Sequence, residues 1–241
     1  MSDVQKHILF IGAHAADMEF TAGALAAKYT KAGHKATFLA LTLGEKGHRT
    51  LSPKEYAEQK KIEATECARL LGADALWLDI PDGELVVDEA TKMRVADVIR
   101  QVRPTTVVTH WKGSFHKDHA NCHYIVEDAR FFACLKTVET PSGLPAAPGF
   151  KLFYAENWED PYEYDPQVYV DTTDVHEQWV EACNKYEIFR PGGASFRYQD
   201  YYRALSVARG AIGSYQHAIT LSRPKWIFQD RVPGDRVVER I

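Results

Sequence analysis

Four short apolar runs, each followed by a segment with helical spacing, constrain this chain more than any other feature. His7–Ala13, Thr37–Thr42, Ala75–Ile80 and Thr105–His110 read as buried strands. Asp17–Lys31 carries Phe20, Ala24, Ala27 and Tyr29 at helical spacing and stops at Gly33. The second helix has clear punctuation: Ser52 as N-cap, Pro53 in the first position, Glu55 completing a capping box, and Gly72 as the stop. Asp88–Val102 and Asp118–Cys134 are the third and fourth helices. Strands that are continuously apolar belong to a parallel sheet covered on both faces. The expected fold class is therefore α/β: a Rossmann-like three-layer sandwich with a mostly parallel sheet.

A chain of 241 residues is long enough for one sizeable core. We read 1–241 as a single catalytic domain, with a βα core over 1–135 and lid loops and C-terminal helices over 136–241. In the second part, Lys151–Glu156 and Val168–Val170 read as strands. Asp171–Asp174 offers caps for a helix reaching about Phe189, and Tyr198–Gly213 is a further helix. Thr140–Gly149, rich in Pro, Gly and Ala, is the expected substrate lid. The tail after Pro224 has no readable pattern.

The net charge of −4 and the lack of a basic run argue against a nucleic-acid partner. No apolar stretch approaches the ~18 residues of a membrane span, and no signal-type segment opens the chain. The four cysteines, Cys67, Cys122, Cys134 and Cys183, form no CxxC pair. They read as reduced packing residues of a cytoplasmic protein.

In parallel sheets, functional groups gather at the carboxyl ends of the strands. His14 and Asp17 follow the first strand, Glu45 the second, Asp82 the third, and His110, His116, Asp118 and His119 the fourth. All fall on one rim. Two imidazoles and a carboxylate suit a catalytic zinc with an open position. Asp17 also sits in the first turn of a helix, where a carboxylate is favoured even without a metal. Of His116 and His119, one can bind metal while its neighbour moves protons, and Asp118 can fix a ring by hydrogen bonding. His110 and His123 read as groups behind the ligands. Trp111, Trp158, Tyr162 and Tyr164 fall in rim loops and suit either sugar faces or packing. Lys46, Arg49, Lys112 and Lys117 read as solvated charges.

The chain resembles the PIG-L/LmbE-like family of zinc-dependent N-deacetylases, which act on N-acetylglucosamine compounds. The resemblance rests on Gly12-Ala13-His14-Ala15-Ala16-Asp17-Met18-Glu19, Thr42-Leu43-Gly44-Glu45, Glu63…Leu71-Gly72, Pro81-Asp82-Gly83, Arg103-Pro104…Thr109-His110 and His116-Lys117-Asp118-His119. A fainter match is Gly213–Ala218. It implies that His14, Asp17 and His119 bind Zn2+ or another divalent metal, that His116 is the acid or electrostatic partner, and that Asp118 tunes it. It implies a small-molecule substrate, and related enzymes often assemble as homo-oligomers.

One position departs from the pattern. The deacetylases place their general base at the residue that is Ala16 here, and alanine cannot take a proton. A positioned base contributes roughly 10²–10⁴-fold, so a deacetylase without one is slow unless Glu45, Glu19 or His116 substitutes. The expected function is a zinc-dependent hydrolase removing an N-acyl group from an amino sugar or related small molecule. The A-H-A-A-D form is also similar to the family's 4-oxalomesaconate hydratase branch. In that reading Glu45 is the acid or base of a metal-dependent hydratase acting on an unsaturated carboxylic acid. An inactive metal-binding relative is the third reading.

Overall fold

In the computed structural model residues 5–225 are described. The first part is β1 (His7–His14), α1 (Asp17–Lys31), β2 (Lys35–Thr42), α2 (Pro53–Leu70), β3 (Asp74–Trp77), α3 (Glu89–Val102), β4 (Thr106–His110) and α4 (Lys117–Cys134). The second is β5 (Lys151–Ala155), β6 (Val168–Asp171), α5 (His176–Cys183), α6 (Tyr198–Gly213) and β7 (Ala218–Ser222). The expected α/β class is thus found, with one mixed sheet of order β3-β2-β1-β4-β5-β7-β6. Strands β1 to β5 run parallel, and β7 pairs antiparallel with both β5 and β6.

Strand β1 explains the layering. Alternate side chains point to opposite faces of a strand. Ile8 and Phe10 pack into one core with residues of α1, α2 and α5, while Leu9, Ile11 and Ala13 pack into the other with residues of α3 and α4. Both faces are covered, so every position must be apolar. The sheet order reverses direction between β1 and β4, which opens a crevice at their carboxyl ends. His14 and His110 stand there.

The capping signals are realised. Ser52 Oγ accepts from Glu55 N at 3.3 Å, and Glu55 Oε2 accepts from Ser52 N at 2.9 Å. Three expectations shift. The third strand stops at Trp77 because it is an edge strand, paired only with β2. The helix expected to reach Phe189 ends at Cys183, and a separate 3-10 turn covers Glu187–Phe189. Strand β7 was not legible: Ala218–Ser222 is short, and its place between β5 and β6 is decided by antiparallel pairing. The tail from residue 226 lies outside the described residues.

Thr140–Gly149 is not a lid in this structure. It packs behind α3 and α4, held by Arg100, which is 4 % exposed. The guanidinium donates to the carbonyls of Phe132, Ala133, Leu135, Val138 and Leu144. One buried cation thereby satisfies the end of α4 and the loop beyond it. Arg100→Met would orphan these carbonyls and is expected to cost roughly 2–4 kcal/mol. Urea unfolding should show a lower midpoint with an unchanged slope.

Candidate metal centre and its cleft

Two loops build the site. After β1 the chain turns sharply into α1 through Ala16, whose φ of 101° lies in the left-handed region. That turn brings Asp17 back over the strand end, where its Oδ2 accepts from His14 N at 2.7 Å. The Ala16 N–H is taken by Glu19 Oε2 at 3.2 Å. After β4, His116 caps α4, its Nδ1 accepting from Asp118 N at 3.2 Å. His119 follows in the first turn of α4. Gly44 has φ +71° and lies against His14, where an added Cβ would sit 3.3 Å from the histidine Cβ. A side chain there would press tightly on His14 and strain the backbone.

Three ligand atoms converge. His14 Nδ1 lies 3.2 Å from His119 Nε2, and Asp17 Oδ2 lies 3.3 Å from each of them. Donors at about 2.0–2.1 Å from a tetrahedral ion are separated by about 3.3 Å. This near-equilateral triangle therefore has the dimensions of three corners of a tetrahedral site, and the donor chemistry fits a divalent metal. His116 joins His14 and His119 in a group whose ligand atoms lie within 4.8 Å, so it borders the open corner.

Carboxylates stand behind the imidazoles. Glu159 Oε2 is 2.8 Å from His119 Nδ1, Asp82 Oδ1 is 3.2 Å from His14 Nε2, and Asp118 Oδ2 is 3.5 Å from the same nitrogen. Such partners fix ring orientation and raise ligand basicity. Asp118 thus serves His14 through its carboxylate and reaches His116 only through its backbone, a correction to the expected pairing. His110 Nε2 is 3.1 Å from Asp17 Oδ2, with its ring stacked on His119. His123 Nδ1 turns away to the His110 carbonyl at 2.9 Å, so it is not a ligand.

The charges of the metal-free site follow. Burial would lower His119, but Asp17 and Glu159 outweigh it and hold the ring at about 9. His14 is likewise buried yet raised well above its usual value by Asp17, Asp118 and Asp82. Burial would raise Asp17, but His119 and His14 hold it well below the carboxylate range. His116 is lowered by burial and by the two neighbouring imidazoles, and burial lowers His110 to about 4.

The triangle opens into a cleft of about 520 Å³. Its walls include Ala16, Arg49, Lys60, Asp82, Trp158 and the 187–198 segment, which takes the place expected for the lid. Trp158 stacks on Phe196 with ring centroids 3.9 Å apart. Trp111 is buried and braces Tyr162 O at 2.7 Å, a packing role. Glu45 is not among the residues that line the cleft; it lies beside it, between Gly44 and Gly47 of the wall, and its Oε1 accepts from Asp82 N at 2.8 Å. Glu19 is 4 % exposed and lies behind the cleft, also accepting from the Tyr186 hydroxyl at 2.7 Å. Sequence reasoning missed Glu159 and Lys60. The only trace of Glu159 was the acidic, aromatic texture of its loop, and Lys60 lies among ordinary helix charges.

Residues 9–130 match the family profile PIG-L, GlcNAc-PI de-N-acetylase. The 4-oxalmesaconate hydratase of Pseudomonas putida is 26% identical over 231 residues, spanning 92% of this chain and 87% of its own. The diacetylchitobiose deacetylase of Thermococcus kodakarensis is 25% identical over 249 residues, spanning 98% and 90%. The crystal structure of GalB, the 4-carboxy-2-hydroxymuconate hydratase of Pseudomonas putida KT2440, has a TM-score of 0.83 at 22% identity, covering 96% of this chain and 100% of that one. The N,N'-diacetylchitobiose deacetylase of Pyrococcus horikoshii gives 0.81 at 21%, covering 95% and 87%. At those identities the two structures establish the fold alone. The profile spans β1 to α4 and takes in both histidine–carboxylate clusters, so the chain belongs to the PIG-L family, whose members similar to it include deacetylases and a hydratase.

Proposed function

We propose that this protein is a metal-dependent hydratase that adds water across a carbon–carbon double bond of a small unsaturated carboxylic acid. The observation that carries the reading is alanine at position 16, beside the open corner of the ligand triangle. The carboxylates facing the triangle are engaged: Asp17, Asp82, Asp118 and Glu159 each face a histidine nitrogen. His116 does not replace the missing base. Its Nδ1 accepts from Asp118 N, so the neutral ring carries its proton on Nε2 and can only donate there. A donor at that place suits an oxygen that gains negative charge, as the conjugated carbonyl or carboxylate does when water adds to the alkene.

His14, Asp17 and His119 would hold the metal, with zinc the ion that their chemistry fits best. A bound divalent ion supplies Lewis acidity and makes water nucleophilic at neutral pH. Glu159 and Asp82 hold the ligand rings, and His110 supports Asp17. We assign to Glu45, whose Oε1 accepts from the Asp82 N–H at 2.8 Å, the relay that takes the proton the water gives up and passes it to the second alkene carbon. The end-to-end similarity to the hydratase of Pseudomonas putida supports this reading.

The second reading is N-deacetylation of an amino sugar or related compound. The triangle with His116 beside it favours that reading, as does the end-to-end similarity to diacetylchitobiose deacetylase. The two separate by assay. Zinc-loaded protein is expected to hydrate an unsaturated di- or tricarboxylic acid, followed as loss of alkene absorbance, and to release little acetate from N-acetyl amino sugars. The converse result would establish deacetylation. Glu45→Gln is expected to lower hydration by roughly 10²-fold or more with metal content intact. Ala16→Asp is expected to raise acetate release by roughly 10²-fold or more, because it returns a base to the open corner.

Metal loading should release protons. His14 and His119 are raised in the metal-free site, so they are protonated at pH 7 and must lose their protons to become ligands. Calorimetric zinc titrations in buffers of different ionisation enthalpy should reveal release of about one to two protons at pH 7. The sign for stability follows from the same shift. Raised histidines stabilise the metal-free fold below their ordinary value of 6.5, and this contribution is lost as pH rises through about 9. The melting temperature of the metal-free protein should therefore fall across that window.

A further inference from the structure

Lys60 is the least expected charge in the molecule. It lies in α2 yet is only 3 % exposed, and it lines the same cleft as His14, Asp17 and His119. Its ammonium donates to one acceptor among the described residues, the carbonyl of Ala15 at 2.9 Å. It also lies 5.4 Å from the Tyr56 ring centroid and 5.1 Å from that of Tyr186. No described carboxylate stands within the 4.0 Å of an ion pair. The nearest acidic groups, Glu63, Asp17, Glu19 and Asp82, act on it only at longer range.

A purely structural lysine explains this poorly. A buried ammonium is tolerated when a carboxylate pairs with it and its N–H groups are satisfied. Here most of the donor capacity remains unused. An anchor for the Ala15 carbonyl alone would need no charge. By contrast, an ammonium with free donors on the wall of a cleft suits an anion that arrives from solution.

Position 16 supplies the second half of the argument. Ala15 O belongs to the peptide that joins Ala15 to Ala16, so Lys60 stands one peptide unit from the alanine. Alanine at that position adds no carboxylate beside the ammonium.

We propose that Lys60 binds a carboxylate group of the substrate. The substrate is then an anionic acid with one end at the metal triangle and a carboxylate at Lys60. Lys60 acts as a binding and orienting group, with no proton transfer assigned to it. The inference rests on the hydratase reading and narrows its substrate to an acid with a carboxylate beside the reacting carbons.

The test uses zinc-loaded full-length protein and tricarballylate, a saturated tricarboxylate that cannot react. Calorimetry should show binding to the wild type. Lys60→Met should weaken it about 10- to 100-fold, the loss of one charge-assisted contact, while Lys60→Arg should restore most of it. Lys60→Gln, which keeps a polar group but removes the charge, should also weaken binding about 10-fold or more. Zinc content should not change in any of these Lys60 variants. Wild-type affinity for tricarballylate in Lys60→Met overturns the proposal. If Lys60→Met does not fold, Lys60→Gln decides: unchanged tricarballylate affinity overturns the proposal equally. No tricarballylate binding by the wild type overturns it as well. Absence of hydration with loss of tricarballylate binding in Lys60→Met would defeat the hydratase reading and leave the carboxylate site standing. Hydration with an unaltered KM in Lys60→Met would defeat this inference alone.

Discussion

One carboxylate oxygen holds the site together. Asp17 Oδ2 faces the His14 N–H at 2.7 Å, His110 at 3.1 Å and the two other ring nitrogens at 3.3 Å. These groups come from β1, the turn into α1, the end of β4 and the start of α4. The oxygen can meet them all because β1 and β4 are neighbours at the point where the sheet reverses its order. The φ of Ala16 is part of the same constraint, since the tight turn is what swings Asp17 back over the strand end.

The surroundings then divide by function. Carboxylates behind the imidazoles orient the ligands, and Glu159 and Asp82 reach them from loops far apart in the chain. His116 and Lys60 face the cleft with donors, and alanine stands where a base would be. Both residues and Ala16 line the cleft into which the triangle opens.

Much of the fold was legible because strand and helix punctuation is local. The apolar runs, the Ser52–Glu55 box and Gly72 follow from short-range steric and hydrogen-bonding rules. The rest was decided by non-local pairing. Strand β7 exists because Ala218–Ser222 fits between β5 and β6, which nothing in its own residues announces. The loop over 140–149 has the composition of a lid, yet its Leu144 carbonyl is taken by the buried guanidinium of Arg100.

At the site, the sequence by itself determined the histidines and carboxylates and the rim on which they gather, because parallel strands present their carboxyl ends together. It also showed the alanine at position 16. Only the tertiary structure decided that His14, Asp17 and His119 meet at metal-ligand separations, and that Asp118 backs His14 rather than His116. It alone placed Glu159 behind His119 and buried Lys60 beside Ala16. Side chains brought together from different loops are fixed by packing, and their sequence spacing carries no record of it.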